Sequence, residues 1–167
     1  LHEVGHSVEH KIGFMKGKQG DLKFGGWTEY GSDIGAIAAE AAKVLKFDED
    51  YILLSMRGQL AFDPPCPDNR DEADWLKARK AADEWIAAVL DRLWDNPAKS
   101  RACALNGVVY QRAYPDLWVS YPVEARSAAL SAYQFRSPIE WFAELYAGYH
   151  SGLLKDSHPA VGWMKAL

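Results

Sequence analysis

His2, Glu3 and His6, in the run HEVGH, set two imidazoles four residues apart with a carboxylate between them. On an α-helix, positions i and i+4 share a face, so His2 and His6 can converge on one metal ion. Glu3 lies roughly 100° round the helix, where its carboxylate can reach a metal-bound water without becoming a ligand. This is the arrangement of a zinc peptidase, in which the ion activates water and the glutamate moves its proton. The bland alternative is an amphipathic helix whose histidines face solvent. A third ligand must decide between the two, because a catalytic zinc normally has three protein ligands.

Ser137-Pro138 is a strong helix start, with serine as N-cap and proline at the first helical position, and the helix that follows reads EWFAELYAGYHSG. Glu140 and Glu144 lie one turn apart on it, among Ala143 and Ala147. Two such carboxylates repel one another unless each finds a cation or a donor. A metal beside Glu140 and a histidine N–H beside Glu144 would satisfy both. Glu40 is the rival third ligand, since simpler gluzincins place their glutamate a few tens of residues after HExxH; Asp33 and Glu29 are weaker candidates.

The two blocks together resemble the peptidase domain of anthrax lethal factor and related zincins of bacterial toxins. In that family a later helix of the form E-[aromatic]-F-A-E supplies the third ligand, and a tyrosine seven residues before it assists the transition state. The resemblance implies Zn2+ held by His2, His6 and Glu140, with Glu3 as general base, Tyr133 as oxyanion stabiliser and Glu144 in the outer shell. It also implies a protein or peptide substrate, a secreted or delivered toxin or effector domain, and a cognate immunity or inhibitor protein as a further partner. It covers about 35 residues at the two ends and is silent on Gly17 to Arg126.

Two features depart from the pattern. The gap from His6 to Tyr133 is 127 positions, which implies an insertion. The acidic residue expected soon after HExxH is Glu9, followed by His10; eight positions put His10 about 12 Å along the axis from His2, too far to share one ion. A rival from another class is a zincin-like module that binds metal or a protein partner without catalysis. Such a module has no need of Glu3 or Tyr133.

Several elements must position these groups. The spacing predicts a first helix over Leu1–Phe14, with Val4, Val8, Ile12 and Met15 as its buried stripe and the histidines on the neighbouring face. A glycine-rich loop follows over Lys16–Gly31, then a helix over Asp33–Lys46 capped by Ser32. Tyr51–Phe62 is ambiguous between strand and short helix, and Pro64, Pro65 and Pro67 end it. Arg70–Asp95 reads as a long helix; Ala98–Tyr121 reads weakly, as a short helix around Ala102–Tyr110 and then a loop rich in Tyr and Trp. Helices are expected again over Glu124–Tyr133, Ser137–Ser151 and Pro159–Leu167. The fold class expected is predominantly α, an α+β zincin-like domain with its active-site helix at the N-terminus, a helical insertion over 48–123 and a ligand-bearing helix near the C-terminus. Other zincins align substrate on a strand upstream of the active helix; here Tyr51–Met56 or Trp118–Tyr121 is expected to replace it, or the chain is the C-terminal fragment of a longer protein.

The 167 residues fit a single domain. Nineteen basic against twenty-three acidic residues, with no basic run, argue against a nucleic-acid surface, and no apolar stretch is long enough for a membrane span. Cys66 and Cys103 match no CxxC pattern and read as two separate thiols. His150 and His158 read as surface residues, and Trp141 and Phe142 as core behind the ligand-bearing helix.

Overall fold

Helices α1 (His2–Ile12) and α6 (Pro138–His150) are far apart in sequence and packed side by side in the computed structural model, which describes residues 1–61 and 63–167. Local chemistry fixes both. Gly13 ends α1 in the left-handed conformation, φ 59°, and donates its N–H to the Glu9 carbonyl at 2.7 Å. Ser137 caps α6 by accepting the Glu140 N–H at 3.3 Å, and Pro138 occupies the first turn where no donor is needed.

The face of α1 that is buried is not the expected one. Val4 and Ile12 are 47% and 50% exposed, whereas Gly5 and Glu9 are buried. The reason is steric: a Cβ on Gly5 would stand 2.9 Å from the Ala143 Cα and 3.1 Å from its carbonyl oxygen. Two small residues thus bring α1 and α6 into backbone contact, and the histidine face of α1 turns inward with them.

The expected predominantly α fold is corrected by a three-stranded antiparallel sheet. β1 (Thr28–Gly31), β2 (Val108–Tyr114) and β3 (Leu117–Pro122) pair in the order β1-β3-β2. With about 55% of residues helical and 11% in this sheet, the architecture is mixed α+β. The segment read as a short helix over Ala102–Tyr110 and a loop is instead a short helix α5 (Pro97–Ala102) followed by the β2–β3 hairpin. Trp118–Tyr121 is indeed strand, but it lies in the centre of the sheet, and Tyr51–Met56 is helical. β3 is buried on both faces, so its residues show no polar–apolar alternation.

α2 (Gly35–Leu45) is shorter than expected and Ser32 does not cap it; the Ser32 hydroxyl donates to the Asp116 carbonyl. α3 (Glu49–Met56) is capped by Asp48, which resolves Tyr51–Met56 of the ambiguous segment as helix, while residues 57–61 form a turn and an irregular stretch; Phe62, the segment's last residue, lies outside the described residues. α4 (Glu72–Leu90) is capped by Asp71 and stops five residues before Asp95, where a 3-10 turn, Leu93–Asp95, takes over. Of these helices, α4 packs against β2, and α2, α3 and α4 pack on one another. Instead of a helix over Glu124–Tyr133 there are two 3-10 turns, Val123–Ala128 and Tyr133–Phe135, and the last helix, α7, is confined to Val161–Met164. Trp141 and Phe142 are buried on the far side of α6, where both stack with Trp163. No described helix is long and apolar enough to cross a membrane.

Candidate metal centre

Three side chains converge where α1 meets α6. His2 Nε2 and His6 Nε2 stand 3.0 Å apart, and Glu140 Oε2 stands 3.1 and 3.0 Å from them. Among the described residues these three form a group that could hold a metal ion. Tetrahedral donors about 2.0–2.1 Å from a zinc ion stand about 3.3 Å from one another, so the triangle is within a few tenths of an ångström of the required size. The donor set, two imidazoles and a carboxylate, is one that could hold a zinc ion and leave a fourth position open.

A second observation bears on the fit. Glu140 is buried, and its Oε2 has no hydrogen-bond donor among the described residues, although it faces two imidazole nitrogens. A buried carboxylate oxygen without a partner is costly unless a cation completes it. Glu140 sits in the first turn of α6, where the helix dipole also favours negative charge.

The other oxygen of Glu140 is fully engaged. Oε1 accepts from Tyr133 at 3.0 Å and from Tyr114 at 3.0 Å. Burial, reinforced by the adjacent carboxylate, pushes both phenols above their ordinary pKa, so both remain donors through the neutral range. With Oε1 held in this way, Oε2 alone is left to face a metal.

Glu144 stands behind His2. Its Oε1 lies 2.7 Å from His2 Nδ1, the separation of a charge-assisted hydrogen bond approached off the ideal N–H line. Its Oε2 accepts from the Ser131 hydroxyl at 2.7 Å. A proton on Nδ1 leaves Nε2 free to bind metal, which is the role of an outer-shell carboxylate. Glu3 is exposed on α1, and its carboxylate has no ion-pair or hydrogen-bond partner among the described residues.

Glu40, the rival ligand, is on α2 near Tyr110 and apart from the histidines, while Asp33 caps Gly35 locally and Glu29 lies on the edge strand β1. Glu9 is no ligand either: its two oxygens accept the Met15 N–H at 3.1 and 3.3 Å, tying down the turn after α1. His10 is exposed. His158 is half-buried rather than superficial, bridging the Ala128 carbonyl and the Ala160 N–H. Cys66 and Cys103 are free thiols.

Tyr114 was not visible from sequence. It closes β2, just past a bulge in which Arg112 pairs with Trp118 and Tyr114 with Leu117, leaving Ala113 as the extra residue. The bulge redirects the strand end so that Tyr114 reaches Glu140. The aromatic and β-branched runs on either side of Pro115-Asp116 were the available signal for a hairpin here.

The chain matches no protein-family model, no curated protein and no solved structure among those compared.

Proposed function

We propose that this chain is a zinc-dependent endopeptidase of the lethal-factor type, hydrolysing peptide bonds in protein substrates as a toxin or secreted effector domain. The observation that carries the reading is the convergence of His2 Nε2, His6 Nε2 and Glu140 Oε2, each 3.0–3.1 Å from the others, with the Glu140 oxygen otherwise unpartnered. The resemblance supplies the substrate class and the delivered role.

His2, His6 and Glu140 would hold the zinc ion, which would supply a water of lowered pKa and polarisation of the scissile carbonyl. The chain's own groups do the rest. Glu3, exposed and uncommitted, takes the proton from the attacking water and hands it to the leaving amine. Tyr133 keeps its proton at neutral pH and donates to the oxyanion that develops on the substrate carbonyl. To do so it must leave Glu140 Oε1, and Tyr114 remains to satisfy that oxygen. Glu144, braced by Ser131, keeps His2 in the tautomer whose Nε2 is free.

The test combines metal content with turnover. Purified parent and Glu3→Gln proteins are expected to hold equal zinc by mass spectrometry, while cleavage of protein substrates by Glu3→Gln falls by about 10²–10⁴-fold. A Glu3→Gln protein that cleaves as fast as the parent overturns the mechanism. Zinc bound without any cleavage by the parent assigns the chain to a non-catalytic metal-binding module instead.

A further inference from the structure

A cleft of about 490 Å³ opens beside the metal centre, and Tyr114 belongs to both. Its walls carry three guanidinium groups, Arg92, Arg112 and Arg136, against a single carboxylate, Asp91. That concentration of positive charge runs against a chain whose net charge is -4.

The three arginines are not equivalent. Arg92 is exposed and pairs with Asp95 at 3.6 Å, so part of its charge is answered. Arg112 and Arg136 have no carboxylate within ion-pair distance among the described residues. Each is instead tethered to a main-chain carbonyl: Arg112 to Leu90 at 3.2 Å and Arg136 to Ala113 at 3.4 Å. Arg136 also lies over the rings of Tyr114 at 4.3 Å and Trp94 at 5.5 Å. Tethered and stacked guanidiniums are oriented before a ligand arrives, and each has most of its five N–H donors uncommitted.

Arg136 is also 5.9 Å from the Tyr133 ring, whose hydroxyl touches Glu140. One tyrosine ring therefore separates the cationic cleft from the proposed metal.

We propose that this cleft is a specificity subsite that takes an acidic side chain, Asp or Glu, of the peptide substrate close to the scissile bond. Two planar guanidiniums without internal carboxylates match a carboxylate in geometry and charge, and the Trp94 and Tyr114 rings flank its aliphatic stem. The cleft is large enough for a side chain with its flanking peptide units. This inference deepens the peptidase reading and rests on it for the word substrate, but carboxylate binding is measurable without turnover.

The experiment is direct binding by fluorescence anisotropy to the zinc-loaded Glu3→Gln protein. The probes are labelled decapeptides blocked at both ends and carrying one central Glu, Gln or phosphoserine, with a fourth probe that has only a free C-terminal carboxylate. The Glu peptide is expected to bind at least about tenfold more tightly than the Gln peptide, the gain of one charge-assisted contact. The preference is expected to shrink with added salt. It should vanish in Arg112→Gln, a substitution at a side chain tethered to the Leu90 carbonyl rather than to a proposed metal ligand, which keeps hydrogen-bonding capacity, while affinity for the Gln peptide stays unchanged.

Equal affinity for Glu and Gln peptides overturns the proposal. So does a preference that survives Arg112→Gln combined with Arg136→Gln, or one shown only for phosphoserine or only for the free C-terminus. A Glu preference in a parent that never cleaves sinks the peptidase reading and leaves the subsite standing; cleavage without the preference does the reverse.

Discussion

Glu144 holds His2 by the nitrogen that faces away from the centre: its Oε1 is 2.7 Å from Nδ1, while Nε2 of the same ring points to Glu140. The two glutamates of one helical turn therefore stand at the two ends of one imidazole. Their mutual repulsion is answered by the ring and, on the proposed reading, by the ion beyond it.

Glu144→Ala is accordingly expected to weaken zinc affinity by about 10–100-fold, the usual cost of losing an outer-shell partner. Competition against a metal chelator measures it, with circular dichroism to show that α6 persists. Unchanged affinity would mean that Glu144 does not orient His2.

Gly5→Ala is expected to destabilise the fold by about 1–3 kcal/mol, because its Cβ is forced against the Ala143 backbone. The nearest atoms are the Ala143 Cα and carbonyl oxygen, nearer than its Cβ at 3.3 Å. Adding Ala143→Gly should therefore fail to restore stability in thermal unfolding. Full rescue by the double substitution would show that side chains, not backbones, set the approach.

Tyr133→Phe and Tyr114→Phe should separate although both hydroxyls touch the same oxygen at 3.0 Å. Tyr133→Phe is expected to lower kcat by about 10²–10³-fold with zinc retained, the cost of one oxyanion donor. Tyr114→Phe should lower kcat by only about tenfold, the cost of leaving Glu140 Oε1 without a donor once Tyr133 turns to the oxyanion. Equal losses in kcat would remove the assigned division of labour.

Glu9 offers a pH test. Burial raises its carboxyl above the usual value of 4.5, despite main-chain N–H groups of Met15 and Phe14 that favour the ionised form. Between 4.5 and that raised value the folded chain holds a proton the unfolded chain has released, so this group makes stability fall as pH rises. Glu9→Gln has no such term. Its melting temperature relative to the parent is expected to be higher at about pH 7 than at about pH 4. A difference that is flat with pH would show that Glu9 is not strained by burial.

The candidate ligands were legible because part of their geometry is local, with the resemblance favouring Glu140 over Glu40. His2 and His6 are neighbours on any helix, and Glu140 and Glu144 share a turn whose capping signal, Ser137-Pro138, is written in the sequence. What was hidden depends on how elements meet. The buried face of α1 was misread because backbone contact through Gly5 outweighs the apolar stripe, leaving Val4 and Ile12 in solvent. Trp118–Tyr121 was legible as a strand, but the hairpin around it was not, because β3 is buried on both faces and lacks alternation, and Tyr114 was hidden because a bulge, not a pattern, aims it. The outer partner Ser131 lies in an irregular stretch between two 3-10 turns, where no periodicity points to a role.

The packing of α1 against α6 has a consequence for folding as well as for chemistry. An ion bridging His6 and Glu140 ties together points 134 positions apart in the chain. The unfolded chain would have to close a loop of that length, at about 4–5 kcal/mol in entropy models, to hold the same ion, so on the proposed reading the ion would bind the folded chain alone. Occupancy and folding then become one equilibrium, in which each tenfold rise of free zinc above its dissociation constant adds about 1.4 kcal/mol to stability. On the proposed reading, a compartment poor in zinc would leave this chain without that added stability as well as without its activity.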